Sequence, residues 1–437
     1  MQTAQTAVPT VDHKPHAQFF RQSGWLMIAN IGGGIMTFAV HFLSKSKAVS
    51  EAQYAAFGTL LMFVTTCLPT IPLQMIFAQQ TAMALTNNRE RQLSSMIRLA
   101  WFCTFLVWLV GAATVFIYQK QIVAGWHLPG VSMLWATLFL LLFSLWMPMF
   151  SGVMQGRQDF FWYGWAMIFG CAGRFFGAAI LVLAIGLGAM GMLTGAAIGI
   201  GATVVIAIWR TRDLWSAPSE RFAVKEFSKQ ILPLVFGFGA CQFLFTADTL
   251  FAKAYFNDDQ MAQYVAAGTL SRALLWLVMP LAAVMFPKLI QSHAKSEKNN
   301  LFGIVVLGTA ALTIVGGLGL WLVGPLAIKI VFKSSYLGAA ALIPWYAGAM
   351  VPLAMANVLV NDLIARSKVA VVPFMVLVAI GYGFAMPYML SHFPGRLDVP
   401  LQTLGVFNLL LFAVCAIFSR DKFLRKGSAI PAATIQN

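Results

Sequence analysis

Apolar residues fill the chain in long, nearly uninterrupted runs, and polar residues are confined to the short breaks between them. The runs cover 23–44, 53–84, 96–118, 129–154, 160–186, 187–209, 230–256, 262–291, 301–332, 337–365, 368–391 and 399–419. A helix that crosses the hydrocarbon of a bilayer needs about 20 mostly apolar residues. The pattern therefore predicts an all-α integral membrane protein of about 12 transmembrane helices. Only the glycine-rich turn Gly186-Leu-Gly-Ala-Met-Gly191 divides the fifth run from the sixth. Residues 1–22 are polar, and the apolar stretch that follows leads to no small-residue cleavage pattern, so no removable signal peptide is expected.

Composition fits this reading, and the placement of charge orients it. Hydrophobic residues make up 59% of the chain and charged residues 10%, against about 25% charged in soluble proteins. Yet 29 Lys and Arg stand against 14 Asp and Glu. If the N-terminus is cytoplasmic, the opposite side holds only Lys45, Lys47, Lys120, Lys253, Lys329, Lys333 and Arg396. The cytoplasmic segments hold the basic residues of 89–98, 210–229, 288–298, 366–368 and 420–426, together with Lys14, Arg21 and Arg157. That asymmetry predicts both termini on the cytoplasmic side. It also accounts for the basic balance through anionic headgroups, without nucleic acid.

The longest predicted cytoplasmic loop, 210–229, falls at mid-chain. It divides the sequence into an N-terminal tail (1–22), a six-helix half (23–209), this linker, a second six-helix half (230–420) and a C-terminal tail (421–437). The halves are related. Residues 52–60 read Ala-Gln-Tyr-Ala-Ala-Phe-Gly-Thr-Leu, and residues 262–270 read Ala-Gln-Tyr-Val-Ala-Ala-Gly-Thr-Leu. Met75 and Met285 continue the match, and Gly156-Arg157 falls opposite Ala365-Arg366 at nearly the same offset. An offset of six helices keeps both halves in one orientation, which predicts two bundles related by a pseudo-two-fold axis along the membrane normal.

Several of these stretches carry a resemblance. Ala247-Asp248-Thr249-Leu250, Gln263-Tyr264-Val-Ala-Ala-Gly-Thr-Leu270, Pro280 and Phe286-Pro287-Lys288 resemble the seventh and eighth helices of bacterial polysaccharide flippases. So do Gln155-Gly-Arg-Gln158, Arg174 in the following helix, and Ile185–Gly191. These flippases belong to the multidrug/oligosaccharidyl-lipid/polysaccharide exporter superfamily. The patterns are loose and extend over about residues 20 to 420. The resemblance implies a V-shaped pair of bundles that moves a polyprenyl-pyrophosphate-linked oligosaccharide outward across the bacterial cytoplasmic (inner) membrane by alternating access. It implies membrane lipids, and other polysaccharide-assembly proteins, as partners. Twelve predicted helices rather than the fourteen usual in lipid II flippases favour the polysaccharide branch.

Ionisable residues at membrane depth are functional candidates by default. At 1.5 Å per helical residue, Arg174 lies roughly 21 Å from the cytoplasmic end of its helix. Arg272 lies roughly 15 Å, and Asp248 roughly 12 Å, from the outer ends of theirs. Arginine offers a planar fork suited to phosphate, so Arg174 and Arg272 are candidate substrate-binding residues. Asp248 and Arg272, at similar depth on consecutive antiparallel helices, are equally a candidate ion pair or gate. Arg174 can alternatively be bound to helix carbonyls or snorkel. At the repeat offset Arg272 falls opposite Met62, Asp248 opposite Phe38, and Arg174 opposite Gly383 or Phe384. None of the three charges belongs to the repeat.

Other features carry less. Gly32-Gly33-Gly34 lacks the context of a phosphate loop and reads as close packing or a hinge. Pro69, Pro72 and Pro280 predict kinks. His41 and His127 fall at the outer boundary as ordinary interfacial residues. The five cysteines (Cys67, Cys103, Cys171, Cys241, Cys415) lie in apolar runs and suit neither a disulfide frame nor a metal. No nucleotide motif is present, and neither a cofactor nor an enzymatic role is expected. The principal alternative is a multidrug or cation antiporter of the same superfamily, which needs carboxylates facing the cavity, and only Asp248 qualifies. A membrane-embedded glycosyltransferase or ligase needs a large extracytoplasmic loop, and only His392, Arg396 and Asp398 cluster in one.

Overall fold

The computed structural model describes residues 14–68, 70–218, 220–222, 224–275, 301–365 and 368–419. Every regular element among them is helical. In the first half α1 (Lys14–Ala39) runs on into a 3-10 turn (Val40–Lys45), followed by α2 (Glu51–Thr66), α3 (Thr70–Thr86), α4 (Glu90–Gly125) and α5 (Val131–Gly156). Then come α6 (Phe160–Ala179), with a π turn at Ile180–Ala184, and α7 (Gly188–Arg210). The short α8 (Asp213–Ser216) leads to the second half: α9 (Val224–Tyr255), α10 (258–275), α11 (Leu301–Val331), α12 (Ile343–Ala365), α13 (Val372–His392) and α14 (Asp398–Ser419). The tails before residue 14 and after 419 lie outside the described residues. So do Pro69, Pro280, Met285, Phe286-Pro287-Lys288 and Arg366.

Ten of the described helices are long and apolar enough to cross a membrane. Their outer faces carry large apolar side chains with no protein cover, such as Val107, Val110, Leu322 and Phe384. In water such a surface would not be tolerated at this extent; against lipid it costs nothing.

One expectation is corrected. The run 53–84 does not form one kinked helix: α2 has 16 residues, α3 has 17, and the helix is interrupted between them. A proline pushes its predecessor out of the helical region, and Leu68 precedes Pro69. The start of α2 is well specified. Ser50 Oγ accepts from the Gln53 amide, and the Gln53 side chain accepts from the Ser50 amide, which satisfies two amides that the helix leaves open. The turn between α6 and α7 falls at Gly186-Leu-Gly188, as the sequence predicts. Gly188 has φ +55°, and a Cβ there would come within 2.4 Å of Gln53 Oε1, so both conformation and space call for glycine. Gly33 alone of the glycine triplet packs closely, against Cys171 of α6.

The internal repeat reappears as packing. α1 packs on α6 as α9 does on α13; α6 on α7 as α13 on α14; α5 on α7 as α12 on α14; α4 on α5 as α11 on α12. The halves meet where α2 crosses α9 and at one end of the bundle. There Lys45 Nζ donates to Lys329 O (2.9 Å) and Lys333 Nζ donates to Val49 O (2.6 Å). Tyr54 of the first half packs beside Phe332 and Tyr336 of the second, with ring centroids 5.5 and 5.7 Å apart. At the opposite end α8 is held against α4, where Arg98 donates to the carbonyls of Leu214, Trp215 and Ala217. Arg157 pairs with Asp213 and Arg210 with Asp159. The Arg157 guanidinium holds the Asp213 carboxyl below its ordinary range.

Candidate functional site

Between the halves lies a cavity of about 300 Å³, lined from α1, α2, α6, α9, α10 and α12, with Thr70 and Pro72 at the start of α3. Arg174 and Arg272 both reach it. They arrive by different routes and in different electrostatic states.

Arg174 is set by the tight seam of α6 against α7. A Cβ on Gly199 would lie 2.5 Å from Arg174 N and 2.8 Å from its Cβ, so the α6 backbone at Arg174 rests on bare α7 backbone. Small residues permit such approach where helix packing in lipid depends on close contact. The Arg174 side chain lines the cavity, its Nε is buried without a hydrogen-bond partner, and among the described residues it joins no ion pair.

Arg272 is tied to its neighbours through Nη2 and Nε. Its Nη2 donates to Asp248 Oδ1 at 2.7 Å, Thr249 Oγ1 at 2.7 Å and Tyr346 OH at 2.6 Å, while its Nε donates to Phe245 O at 3.0 Å. Asp248 is completely buried and also accepts from Tyr264 OH (2.9 Å) and Tyr346 OH. The Arg272 guanidinium lies over the Tyr346 ring, 5.1 Å from its centroid. An ion pair out of water is tolerable when its remaining donors and acceptors are met, and here α9, α10 and α12 supply them. The net charge of this cluster is zero. The two residues that the sequence places at similar depth are thus in contact, and Arg174 is the charge in the cavity wall that no carboxylate among the described residues balances.

The histidine expected at the boundary lies elsewhere. His41 is 8% exposed, lines the same cavity, and its Nδ1 stands 2.8 Å from Tyr54 OH. Counting from the end of the apolar run misplaced it, because that end folds into the 3-10 turn Val40–Lys45 against α2 rather than rising to the surface. His127 is exposed, in the turn after α4. His392 bonds to the Tyr388 carbonyl of its own helix, and Arg396 pairs with Asp398, so these three share no common centre. Asp362, near the C-terminal end of α12, is buried. Lys253, counted among the outer charges, is completely buried and donates to Asp258 Oδ1 at 2.8 Å. Cys67, Cys103, Cys171, Cys241 and Cys415 are all free thiols.

Two tyrosines went unnoticed as site residues although the repeat marks them. Tyr54 and Tyr264 occupy matching places, both are fully buried, and each bonds to the polar side chain of the preceding helix, His41 in one half and Asp248 in the other.

No family model matches the chain, and no curated protein sequence is significantly similar to it. Solved structures do share its fold. An inward-facing multidrug-resistance transporter of the MATE family, MOP superfamily, superposes with a TM-score of 0.72 at 12% identity, covering 89% of this chain and 94% of that one. The lipid II flippase MurJ in an inward closed conformation gives 0.68 at 14% identity, covering 90% and 86%. An outward-facing MATE transporter gives 0.61 at 13% identity, covering 92% and 94%. At these identities the likeness is one of fold.

Proposed function

We propose that the protein is a transporter that flips a polyprenyl-pyrophosphate-linked oligosaccharide from the inner to the outer leaflet of the bacterial cytoplasmic membrane, with both termini inside. The carrying observation is Arg174, a half-buried cation in the wall of the inter-half cavity with no carboxylate partner among the described residues, while Arg272 in the same lining is neutralised by Asp248. A cavity with one unbalanced guanidinium suits an anionic headgroup, and the guanidinium fork suits phosphate. The antiporter alternative needs an available carboxylate to exchange a proton or a cation. Asp248, the intramembrane candidate, is committed to Arg272, Tyr264 and Tyr346, which favours anion handling.

The inter-half contacts at the Lys45–Val49 end, together with the higher TM-score to an inward-facing than to an outward-facing relative in fold, support a cavity closed on the outer side in this conformation. Exporting an anion from a negative interior runs down the potential by about 2.3 kcal/mol per charge per 100 mV, so two charges release roughly twice that without nucleotide.

The test is a charge series at Arg174, read as surface glycan in cells with membrane abundance measured in parallel. Lysine keeps the charge but loses the fork, so Arg174→Lys is expected to retain part of the activity and Arg174→Met almost none, both at normal abundance. Full activity in Arg174→Met would remove this residue from the mechanism.

A further inference from the structure

At the end of the bundle opposite the Lys45–Val49 contacts, aromatic rings and guanidinium groups meet on the surface of the first half. Trp162 of α6 and Trp209 of α7 pack edge to face, with centroids 5.2 Å apart. The Arg210 guanidinium lies over both rings, 5.4 Å from the Trp162 centroid and 5.7 Å from that of Trp209. The Arg212 guanidinium lies over Trp209 as well, at 5.6 Å. Trp209 is thus flanked by two cations, yet 46% of it stays exposed. Val205, one turn earlier in α7, is 64% exposed, so this strip of the helix faces lipid up to the tryptophan.

The charges around the two rings do not balance. Arg210 Nε donates to Asp159 Oδ2 at 2.9 Å, and Arg157 donates to both carboxylate oxygens of Asp213 through Nη1 and Nη2. Both carboxylates of the cluster are therefore taken. Arg212 is exposed and joins no ion pair among the described residues. Arg157, Arg210 and Arg212 against Asp159 and Asp213 leave one positive charge, and it is Arg212.

A basic residue at a helix end serves topology by itself, and it attracts anionic lipid only diffusely. Two observations go beyond that. Tryptophan prefers the headgroup level, so stacking on Trp209 holds Arg212 at the depth of lipid phosphates. A guanidinium laid on a ring still has its edge donors free, and their fork matches two oxygens of a phosphate. The repeat adds an independent point. At the offset of 209, Trp162 falls opposite Val371 and Trp209 opposite Phe418. The platform therefore belongs to the first half alone and is not demanded by the fold that the halves share.

We propose that Trp209 and Arg212 bind the phosphate of an anionic phospholipid, with Arg210 and Trp162 as the wall of the site. The bound lipid neutralises the cluster and fastens the α6–α7 end of the first half to its leaflet. None of these residues lines the inter-half cavity, so the inference is independent of the flippase reading.

The experiment is native mass spectrometry of the delipidated full-length protein in detergent, titrated with phosphatidylglycerol or with phosphatidylcholine of the same acyl chains. Wild type is expected to bind one phosphatidylglycerol more tightly than further copies and more tightly than phosphatidylcholine. Arg212→Gln should weaken that first binding roughly fivefold, the effect of one basic residue at an anionic surface. Arg212→Lys should retain part of the affinity, because it keeps the charge and loses the fork. Trp209→Leu should weaken binding comparably although no charge is removed. Arg89→Gln, at an exposed cation of the same end, should leave the first binding unchanged. Equal losses in Arg89→Gln and Arg212→Gln, or full affinity in Trp209→Leu, overturn the proposal and leave only diffuse attraction. Displacement of the lipid by soluble glycerol phosphate overturns it too, since the site would then be one for free phosphate. Thermal midpoints are measured alongside. If Trp209→Leu folds poorly, Arg212→Gln against Arg89→Gln decides alone, because both arginines are exposed.

Discussion

Replacing Asp248 by Asn tests whether the buried cluster is an electrostatic unit. The carboxylate is completely buried and meets Arg272 Nη2 at 2.7 and 3.0 Å, Tyr264 OH at 2.9 Å and Tyr346 OH. Asparagine keeps one carbonyl acceptor and nearly the same volume, so packing is preserved and the charge is what changes. Arg272, 5% exposed, is then a cation without its counterion. Removing one partner of a buried pair costs about 3–5 kcal/mol, whereas replacing both by apolar groups of similar size is often neutral or stabilising by about 1–4 kcal/mol. Asp248→Asn should therefore lower folded yield and thermal midpoint sharply, since whole proteins are stable by only about 5–15 kcal/mol. Arg272→Met should do so as well. The double variant should recover much of the loss, with a coupling energy of about 2 kcal/mol or more, at the upper end of what contacting residues show. The assay is monodisperse yield and thermal midpoint of the purified protein in detergent for the four members of the cycle. Losses that simply add in the double variant would refute mutual neutralisation and give Asp248 and Arg272 separate roles.

Other expectations follow from the ends of the bundle. Cysteine labelling should find residues 210–229 and 421–437 accessible from the cytoplasm and residues 120–127 from outside; access to 120–127 from the cytoplasm alone would reverse the orientation. Cysteines at Val49 and Lys333, whose backbone oxygen and ammonium are now 2.6 Å apart, should block glycan export when joined by a short thiol-specific cross-linker and release it on reduction. Unimpaired export with complete cross-linking would show that the halves need not part at this end. The lowered Asp213 carboxyl contributes stability above the ordinary aspartate pKa, and this is lost as pH falls through its depressed value in the fold. Protease nicking within the 210–229 linker should thus rise only below about pH 4, with Asp213→Asn removing the step, and the effect should be small because exposed pairs contribute about 1 kcal/mol or less.

The helices were legible because length of apolar run is a strong signal in a medium that obliges every backbone group to find a partner within its own segment. The same signal hid the break between α2 and α3. Leu68-Pro69 sits inside an apolar run, and whether proline kinks or interrupts a helix depends on whether neighbouring groups satisfy the freed carbonyls, which sequence does not display. The Asp248–Arg272 contact was open to reading, since consecutive antiparallel helices bring equal depths together. Its completion by Tyr346 was not, because that hydroxyl arrives from α12, 74 residues away. The repeat explains both outcomes. Where the halves agree, as at Tyr54 and Tyr264, the residue is buried in the packing common to both bundles. Where they differ, as at Arg174 against Gly383 or Phe384, only the first half's residue lines the inter-half cavity. His41 follows the same rule: its counterpart is Phe251, which packs on Tyr382, whereas His41 itself turns to the cavity. A duplicated fold constrains the positions its two copies share, so chemistry specific to the ligand has to reside in the positions where they depart. Read in that way, the departures point to the proposed substrate site more directly than depth counted along either half alone.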